Sequence, residues 1–529
     1  MKLTGFLFAA ALLGACTQPA AEENYTRHVD PKIGTGGHGH VFVGANVPFG
    51  LVQVGPTSIP QTWDWCSGYH ASDSTVIGFS HTHLSGTGIG DLFDVTVMPV
   101  TGEVTYARGT EDDPTSGLWS YADRTQEIAR PGYYSVPLTR YGIRAELTAT
   151  ARVGLHRYTF PASDAAAVVF DLENGGCWDK ATETHLAKEG DRTVTGWRHS
   201  TGWAKDQRVY FAAEFSKPFE KFETIGDNYA RASFRTTDGE QVSLKVALSP
   251  VSVEGARENL AAELPGWDFE ETAKAADKAW NDELSKVKIE TEDETSKRIF
   301  YTALYHTMVA PSLFCDVNGD YYGSDHAIHR NADFTNYTTF SLWDTYRAAM
   351  PLMTVLHPEK MADIVQTMLT ISDEQGRLPV WHLWGNETDC MVGNPGIPVV
   401  ADAIVKGIGG FDREKAFEAI RKTAMNPDRG NGLRMEYGYI PCEMFNEAVA
   451  YDMEYALADG AAARAAETLG KAEDAKYFEE RSHSYRNYFD PATRFMRGRD
   501  SKKGWRTPFN AFASTHRADD YCEGNAWQY

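Results

Sequence analysis

The hydrophobic periodicity changes part-way along the chain, and this change limits the possible folds more than any other feature. Up to about Val253 apolar and polar residues alternate, most clearly over residues 143–155, which places side chains on the two faces of a sheet. After Pro265 apolar residues recur with helical spacing. The 529 residues also exceed the roughly 250–300 at which a single core stops growing. The sequence predicts at least two packed units, strands first and helices second.

Candidate domain boundaries follow from the same pattern. Alternating segments without long helices between them favour an antiparallel β-sandwich over residues 27–254, in which residues 143–155 form one long strand. Residues 255–294 include a stretch rich in Ala, Glu and Lys, which predicts a helical linker that turns away from the sheet domain. Residues 295–529 are predicted to form an all-α domain.

The N-terminus has the pattern of an export signal over residues 1–16. Lys2 precedes an apolar run that is too short to span a bilayer, and the run ends in LGAC, which resembles a bacterial lipobox. We expect Cys16 to be lipidated and residues 17–26 to form a tether; a plain cleaved signal with an incidental cysteine is the alternative. The protein is then exported across the inner membrane and held by lipid alone, in the periplasm or on the outer membrane of a Gram-negative bacterium.

Charge and cysteine content exclude several classes of function. The formal net charge is −22, which repels phosphate backbones, so nucleic acid is not an expected partner. The cysteines after the signal form no CxxC pair, so zinc–thiolate and dithiol redox sites are not predicted. Their disulfide pairing stays open; they are Cys66, Cys177, Cys315, Cys390, Cys442 and Cys522.

Four segments combine tryptophan with carboxylate, amide and glycine residues. This mixture suits sugars, because aromatic faces cover the C–H surfaces of a pyranose while carboxylates and amides bind its hydroxyls. Taken singly, each tryptophan could be a core residue, and Asp64 or Asp344 could be a helix cap or a partner of a local cation such as Arg347. Together they favour a carbohydrate site; the segments are residues 62–70, 341–352, 381–394 and 522–529.

Glu523 is a candidate general acid within the last of these segments. It lies between Cys522 and Gly524 and close to Trp527, so we expect it to be buried and therefore kept protonated, as a general acid requires. A carboxylate in a structural hydrogen-bond network is the alternative. Three aromatic residues with no polar tail after them also suggest that Tyr529 is an artificial or gene-fragment end.

Two further features carry weaker signals. His81 and His83 alternate along the chain and could face one ion, but no third ligand is evident and zinc requires three or four. The glycine-rich stretch GTGIGD over residues 86–91 fits neither a P-loop nor a dinucleotide fingerprint. Backbone turns and domain packing are the favoured interpretation of both.

Taken together, several motifs resemble glycoside hydrolase family 92 from about residue 27 to the last residue. Singly some are weak, but as a set they are highly specific. They are VDPKIGTGGHGH (29–40), VPFGLVQVGP (47–56), WDWCSGYH (63–70), GFSHTHLSGTG (78–88), FSLWDTYRAAMPL (340–352), GNETD (385–389) and EGNAWQY (523–529).

This resemblance implies a fold and an activity. Members are calcium-dependent, inverting exo-α-mannosidases, in which a β-sandwich precedes an (α/α)6 toroid. Glu523 is then the general acid, Trp343 and Asp344 grip the terminal mannose of a glycan, and Trp63 and Asp64 reach the site from the sandwich. Asn386 and Glu387 of the GNETD motif are further candidates for substrate binding.

The resemblance also implies that the toroid is incomplete in this chain. In the family the water-activating base and the calcium ligands come from segments after the EGN motif. We therefore expect the 529-residue chain to be C-terminally truncated and inactive alone. Its metal ligands are not identified. An inverting glycoside phosphorylase is an alternative enzyme, and its signature would be a dependence on phosphate. A surface lipoprotein that captures glycans without cleaving them is the non-enzymatic alternative.

Overall fold

A computed structural model of the protein describes residues 23–529. The predicted signal, Cys16 and most of the predicted tether lie outside the described residues, so lipidation stays a prediction. Within the described range, every helix is too short or too polar to cross a membrane.

The first half of the chain is an antiparallel β-sandwich. Its strands are β1 (Gly55–Thr57), β2 (Thr75–Val76), β3 (Gly78–Ser80), β4 (Thr96–Thr101), β5 (Ser120–Tyr121), β6 (Ile128–Arg130), β7 (Tyr133–Leu138), β8 (Ile143–Ala149), β9 (Val153–Phe160), β10 (Ser163–Asp171), β11 (Lys180–Glu189), β12 (Thr193–Thr201), β13 (Gln207–Phe215), β14 (Lys221–Ile225), β15 (Tyr229–Thr236) and β16 (Glu240–Ser249). Six of them pair in the order β1-β3-β4-β10-β15-β14, and eight pair in the order β11-β12-β13-β16-β9-β8-β7-β6. The short strands β2 and β5 pair with each other in a separate sheet.

Apolar side chains from the inner faces of both sheets form one core. Phe170 of the six-stranded sheet stacks on Phe211 of the eight-stranded sheet, with ring centroids 6.0 Å apart. The single long strand predicted over residues 143–155 is wrong, because Thr150 N–H donates to Val153 O (2.9 Å) and closes a hairpin between β8 and β9. Alternation continues through this short turn, so periodicity alone does not show it.

The segment between the two halves contains two helices. The first, α1 (Val253–Glu263), lies against β13 and β16, and the second, α2 (Phe269–Leu284), begins where the Asp268 carboxylate caps the N–H of Glu271. Phe269 packs with Val153 and Leu155 on the outer face of the eight-stranded sheet. The expectation that the linker turns away from the sheet is therefore wrong, since its apolar face covers the sheet.

The second half is helical, with a core of its own. Its helices are α3 (Glu294–His306), α4 (Leu342–Thr345), α5 (Ala349–Leu356), α6 (Pro358–Gln375), α7 (Gly396–Val405), α8 (Arg413–Ala424), α9 (Asn431–Tyr437), α10 (Ala448–Thr468) and α11 (Ala472–Arg481). Short strands interrupt them: β17 (Ser312–Leu313), β18 (Tyr321–Tyr322), β19 (Ile328–His329), β20 (Tyr337–Thr338), β21 (Phe340–Ser341), β22 (Trp381–Leu383), β23 (Asn386–Glu387), β24 (Phe489–Asp490) and β25 (Phe495–Met496). The predicted order, a β-sandwich followed by a helical domain, is confirmed. The prediction that residues 295–529 are all-α is wrong, because nine short strands lie between or after the helices.

Candidate active site

A cavity of about 580 Å³ lies between the two domains and collects most of the predicted segments. The sandwich contributes three tryptophans and a glycine-rich loop, while the helical domain contributes two carboxylates and a fourth tryptophan. The lining residues are Trp63, Gly86, Thr87, Gly88, Ile89, Trp178, Trp203, Ser341, Asp344, Trp381, Cys390, Met391, His516, Arg517 and Glu523.

The GTGIGD loop positions two of the sandwich tryptophans through its backbone. Trp63 begins a short 3-10 turn, and its indole N–H donates to Gly88 O (2.9 Å). A Cβ at Gly88 would lie 2.6 Å from the Trp63 indole, so only glycine fits beneath the ring. The N–H of Trp178 donates to Gly90 O (2.8 Å). The loop therefore forms part of the cavity wall, in addition to the turn that its glycines predicted.

The same loop fixes the third sandwich tryptophan through a buried carboxylate. Asp91 accepts hydrogen bonds from the N–H groups of Trp203 (2.9 Å) and Ala204 (2.8 Å). Burial raises the pKa of Asp91 to about 6, against the lowering effect of these two donors. The Trp203 ring then meets the Trp381 ring edge-on at 4.6 Å, which places one tryptophan from each domain in contact.

A three-stranded sheet, β21-β22-β23, brings two predicted segments of the helical domain together. Ser341 lies opposite Trp381 in the antiparallel register. The Glu387 carboxylate accepts hydrogen bonds from the N–H groups of Val380 (2.8 Å), Trp381 (2.9 Å) and Asp389 (3.0 Å). Glu387 does not line the cavity, and these contacts make it a support for Trp381; its predicted contact with substrate stays a prediction.

Asn386 joins the two domains. Its side chain is buried, its Oδ1 accepts the N–H of Asp206 (3.0 Å), and its Nδ2 donates to Asp206 O (2.9 Å) and Trp384 O (2.9 Å). Asp206 lies in the sandwich, just before β13. Because backbone groups already satisfy the Asn386 amide, the structure gives it a role in the domain joint, and its predicted sugar contact stays a prediction.

The LWDTYR segment places one of its two predicted residues in the cavity. Asp344 is exposed there, and its Oδ2 accepts the Ser341 hydroxyl (2.5 Å). Trp343 points instead toward α10, where its indole N–H donates to Glu454 Oε1 (3.3 Å). Glu454 also accepts the Tyr346 hydroxyl (2.7 Å) and an Arg347 N–H (2.6 Å). Glu454 thus fixes the short helix α4 that carries Asp344.

Glu523 lines the cavity, but its expected burial is wrong. Its side chain is exposed, although its neighbours Cys522 and Gly524 are buried. Glu523 has a φ of 48°, in the left-handed region that few residues other than glycine adopt. Asp344, Glu523 and Trp63 thus line one cavity, as the segment composition predicted.

Asp64 lies beside Trp63 but does not line the cavity. Its Oδ1 is 2.7 Å from His38 Nδ1, and this hydrogen bond lowers the pKa of Asp64. The His40 ring in turn contacts the Trp63 ring edge-on at 4.3 Å. Asp64 remains ionised on the rim of the Trp63 turn, and its predicted substrate contact stays a prediction.

The structure gives His81 and His83 separate partners. His81 Nε2 is 2.9 Å from His156 Nε2, whereas His83 Nδ1 is 2.7 Å from Gln53 O. Burial lowers the pKa of His81 to about 3 and that of His83 to about 4, so both are neutral. Neither belongs to the group of possible metal ligands found among residues 23–529, which is Asp325, His329 and Glu374.

The chemistry of the cavity suits a neutral sugar. Several indole rings surround a space that is also lined by two carboxylates, the hydroxyl residues Thr87 and Ser341, and the cation of Arg517. Burial raises the pKa of the Cys390 thiol to about 12, so this lining residue is not a nucleophile at neutral pH. A second cavity of about 480 Å³, beside Arg434 and Tyr477, has no tryptophan in its lining.

Sequence reasoning missed Trp178 and Trp203. Trp203 directly follows Gly202, and Trp178 lies two residues after Gly176. These glycines were the available signal that a turn presents each tryptophan. Their approach to Trp63 depends on pairing between distant strands.

Comparison with known proteins agrees with the geometry. Residues 28–249 match the glycosyl hydrolase family 92 N-terminal domain, and residues 255–529 match the glycosyl hydrolase family 92 catalytic domain. A curated relative from Arthroderma benhamiae, described as an uncharacterized secreted glycosidase, is 26% identical over 91% of this chain and 64% of its own length. The chain therefore spans less than two thirds of that relative.

Solved structures give the same result. A family 92 α-mannosidase of Bacteroides thetaiotaomicron, in complex with mannoimidazole, is 39% identical, with a TM-score of 0.92 over 96% of this chain and 70% of that one. A family 92 inverting mannosidase from the same species is 28% identical, with a TM-score of 0.85 over 95% of this chain and 70% of that one. The chain belongs to glycoside hydrolase family 92.

Proposed function

We propose that the protein is an inverting exo-α-mannosidase and that the terminal mannose of its glycan substrate occupies the cavity between the domains. The observation that carries the proposal is the placement of Asp344 and Glu523 in one cavity with tryptophans from both domains. Aromatic rings bind the apolar face of a pyranose, and the carboxylates bind or protonate its oxygens. Two solved relatives, described as an α-mannosidase and an inverting mannosidase, support this substrate class.

Glu523 is the proposed general acid. Inversion requires an acid at the leaving oxygen and a base about 6.5–9.5 Å away that activates water on the opposite face. Asp344, held by the Ser341 hydroxyl, is proposed to bind sugar hydroxyls as an acceptor.

Calcium dependence is proposed from the resemblance alone. Calcium takes six to eight oxygen ligands, whereas the metal-compatible group within the described range offers two carboxylates and a histidine nitrogen, away from the cavity lining. Within residues 23–529, the group of possible metal ligands therefore does not fit a calcium ion at the cavity.

Export and lipid anchoring through Cys16 are also proposed. They rest on the LGAC motif and on a curated relative that is described as secreted. Radiolabelled palmitate should label the wild-type protein and not Cys16→Ser, whose release into the soluble periplasmic fraction is the expected consequence. Equal membrane association of both forms would contradict the anchor.

The test is mannose release from α-linked mannobioses, with calcium and with chelator, by this chain and by the product of the complete reading frame. We expect the complete product to release mannose as the β-anomer, and Glu523→Gln to abolish release. Glu473→Gln, a change on the exposed side of α11, is the control that should not alter it. Release by neither protein contradicts the proposed activity. Equal release by both overturns only the expectation that the 529-residue chain is inactive.

A further inference from the structure

Two cysteines lie directly behind the aromatic wall of the cavity. Cys66 ends the 3-10 turn that begins at Trp63, and its N–H donates to Trp63 O (3.1 Å). Cys177 immediately precedes Trp178. Cys66 is buried, with 1% of its surface exposed, and Cys177 is partly buried. Each cysteine thus lies in the same turn or loop as a tryptophan that lines the cavity.

Hydrogen bonds hold the segments that carry these cysteines against each other. The Gln61 side chain donates to Gly175 O (3.2 Å). Arg108 lies between the segments and donates to Ser58 O (3.0 Å) on one side and to Gly175 O (2.9 Å) on the other. The relative position of the two cysteines is therefore fixed by several contacts that do not involve sulfur.

The two thiols face each other within this joint. The Cys66 thiol is hydrogen-bonded to the Cys177 thiol. A Cβ at position 90 would lie 2.3 Å from Cys177 Sγ, so Gly90 leaves the space that the thiol occupies. This hydrogen bond raises the pKa of Cys66 and lowers the pKa of Cys177. The lowered pKa favours the thiolate of Cys177, which is the form that reacts with disulfides.

We propose that Cys66 and Cys177 form a disulfide in an oxidising compartment and so lock the Trp63 turn to the Trp178 loop. The Cys177 thiolate attacks a disulfide of the oxidant, either a protein disulfide or oxidised glutathione, and displaces one thiolate. The Cys66 sulfur, losing its proton to solvent, then attacks the Cys177 sulfur of the mixed disulfide and displaces the second thiol. The cysteine pair loses two electrons and two protons, and the oxidant disulfide is reduced to two thiols.

The test is peptide mapping of the folded protein after incubation with oxidised glutathione, with free thiols alkylated before digestion and without reduction. We expect one linked peptide pair containing Cys66 and Cys177, and two fewer free thiols than in the reduced protein. Reduction should lower the Tm of the oxidised protein on the order of 5 °C, because the crosslink closes a long loop.

Matched variants separate this pair from the other cysteines. Cys66→Ser should abolish the linked peptide and make the Tm insensitive to reductant, whereas Cys315→Ser, which changes a buried cysteine next to Arg152, should preserve both effects. Alkylation of both Cys66 and Cys177 in the oxidised wild-type protein would overturn the proposal, as would a link from either one to another cysteine. The wild-type map decides the question even if Cys66→Ser does not fold.

Discussion

Replacing Arg198 with methionine should destabilise the sandwich strongly. Arg198 lies on β12 with no exposed side-chain surface, donates to Leu172 O (2.8 Å) and Asp94 (2.7 Å), and forms a second ion pair with Asp179. Both carboxylates are also buried. Removing one partner from a buried ionic group costs about 3–5 kcal/mol, because the remaining charges lose their counter-ion. Asp179 adjoins Trp178, so the loss also affects the cavity wall.

Urea unfolding followed by far-UV circular dichroism measures this effect. With an m-value of about 3 kcal/mol/M, a loss of about 3–5 kcal/mol lowers the midpoint of the sandwich transition by about 1–2 M. Arg192→Met, which removes an exposed arginine just before β12, should change stability by less than about 0.5 kcal/mol. Midpoints that are equal in the Arg198 and Arg192 variants would refute the reasoning. Replacing Asp94 and Asp179 with asparagine in the Arg198→Met background should recover part of the loss.

Three further predictions test other parts of the structure. Asp91→Asn should lower the free energy of unfolding by about 1–3 kcal/mol in urea titrations, because an NH2 group replaces one of the two buried carboxylate oxygens that accept hydrogen bonds. Unchanged stability would argue against the contacts of Asp91 with the N–H groups of Trp203 and Ala204. Glu454→Gln should reduce mannose release by the complete product about tenfold or more, because Asp344 on α4 would be misplaced. Normal kcat and KM would show that α4 does not need Glu454 as a support. The free energy of unfolding should fall between pH 7 and pH 5 by about 2 kcal/mol for each of His81 and His83. Both histidines take up protons below about pH 6.5 in the unfolded state, whereas the buried rings of the folded state stay neutral until about pH 3–4. Higher stability at pH 5 in urea titrations would contradict that sign.

The periodicity of the sequence predicted the two domains well, because burial of one strand face or one helix face determines the pattern directly. Periodicity failed where the same pattern fits two arrangements, such as a straight strand or a hairpin. The hairpin between β8 and β9 has the pattern of one strand. The linker was predicted to turn away from the sheet domain, although Phe269 of α2 covers the sheet. Such errors arise because long-range packing, which periodicity does not contain, decides them.

The candidate site shows the same limit. Composition placed Trp63, Asp344 and Glu523 together correctly, since a sugar site requires these residue types. The GNETD motif also suggested Asn386, whose amide is satisfied by backbone groups across the domain joint. Trp203 was not predicted as a site residue, because its position depends on a hydrogen bond to the Asp91 carboxylate, more than a hundred residues earlier in the chain. Hydrogen-bond partners at that separation do not follow from local sequence.

The cavity between the domains is the proposed binding site for mannose. Titration of tryptophan fluorescence with mannoimidazole tests this proposal without requiring turnover, in wild type, Trp63→Ala and Trp527→Ala. Trp63 lines the cavity, whereas Trp527 is 64% exposed and lies outside the lining. We predict that wild type binds, that Trp63→Ala weakens binding by about 1–2 kcal/mol, a factor of roughly 5–30 in Kd, and that Trp527→Ala leaves it unchanged. No binding by wild type, or equal weakening in both variants, would contradict the account.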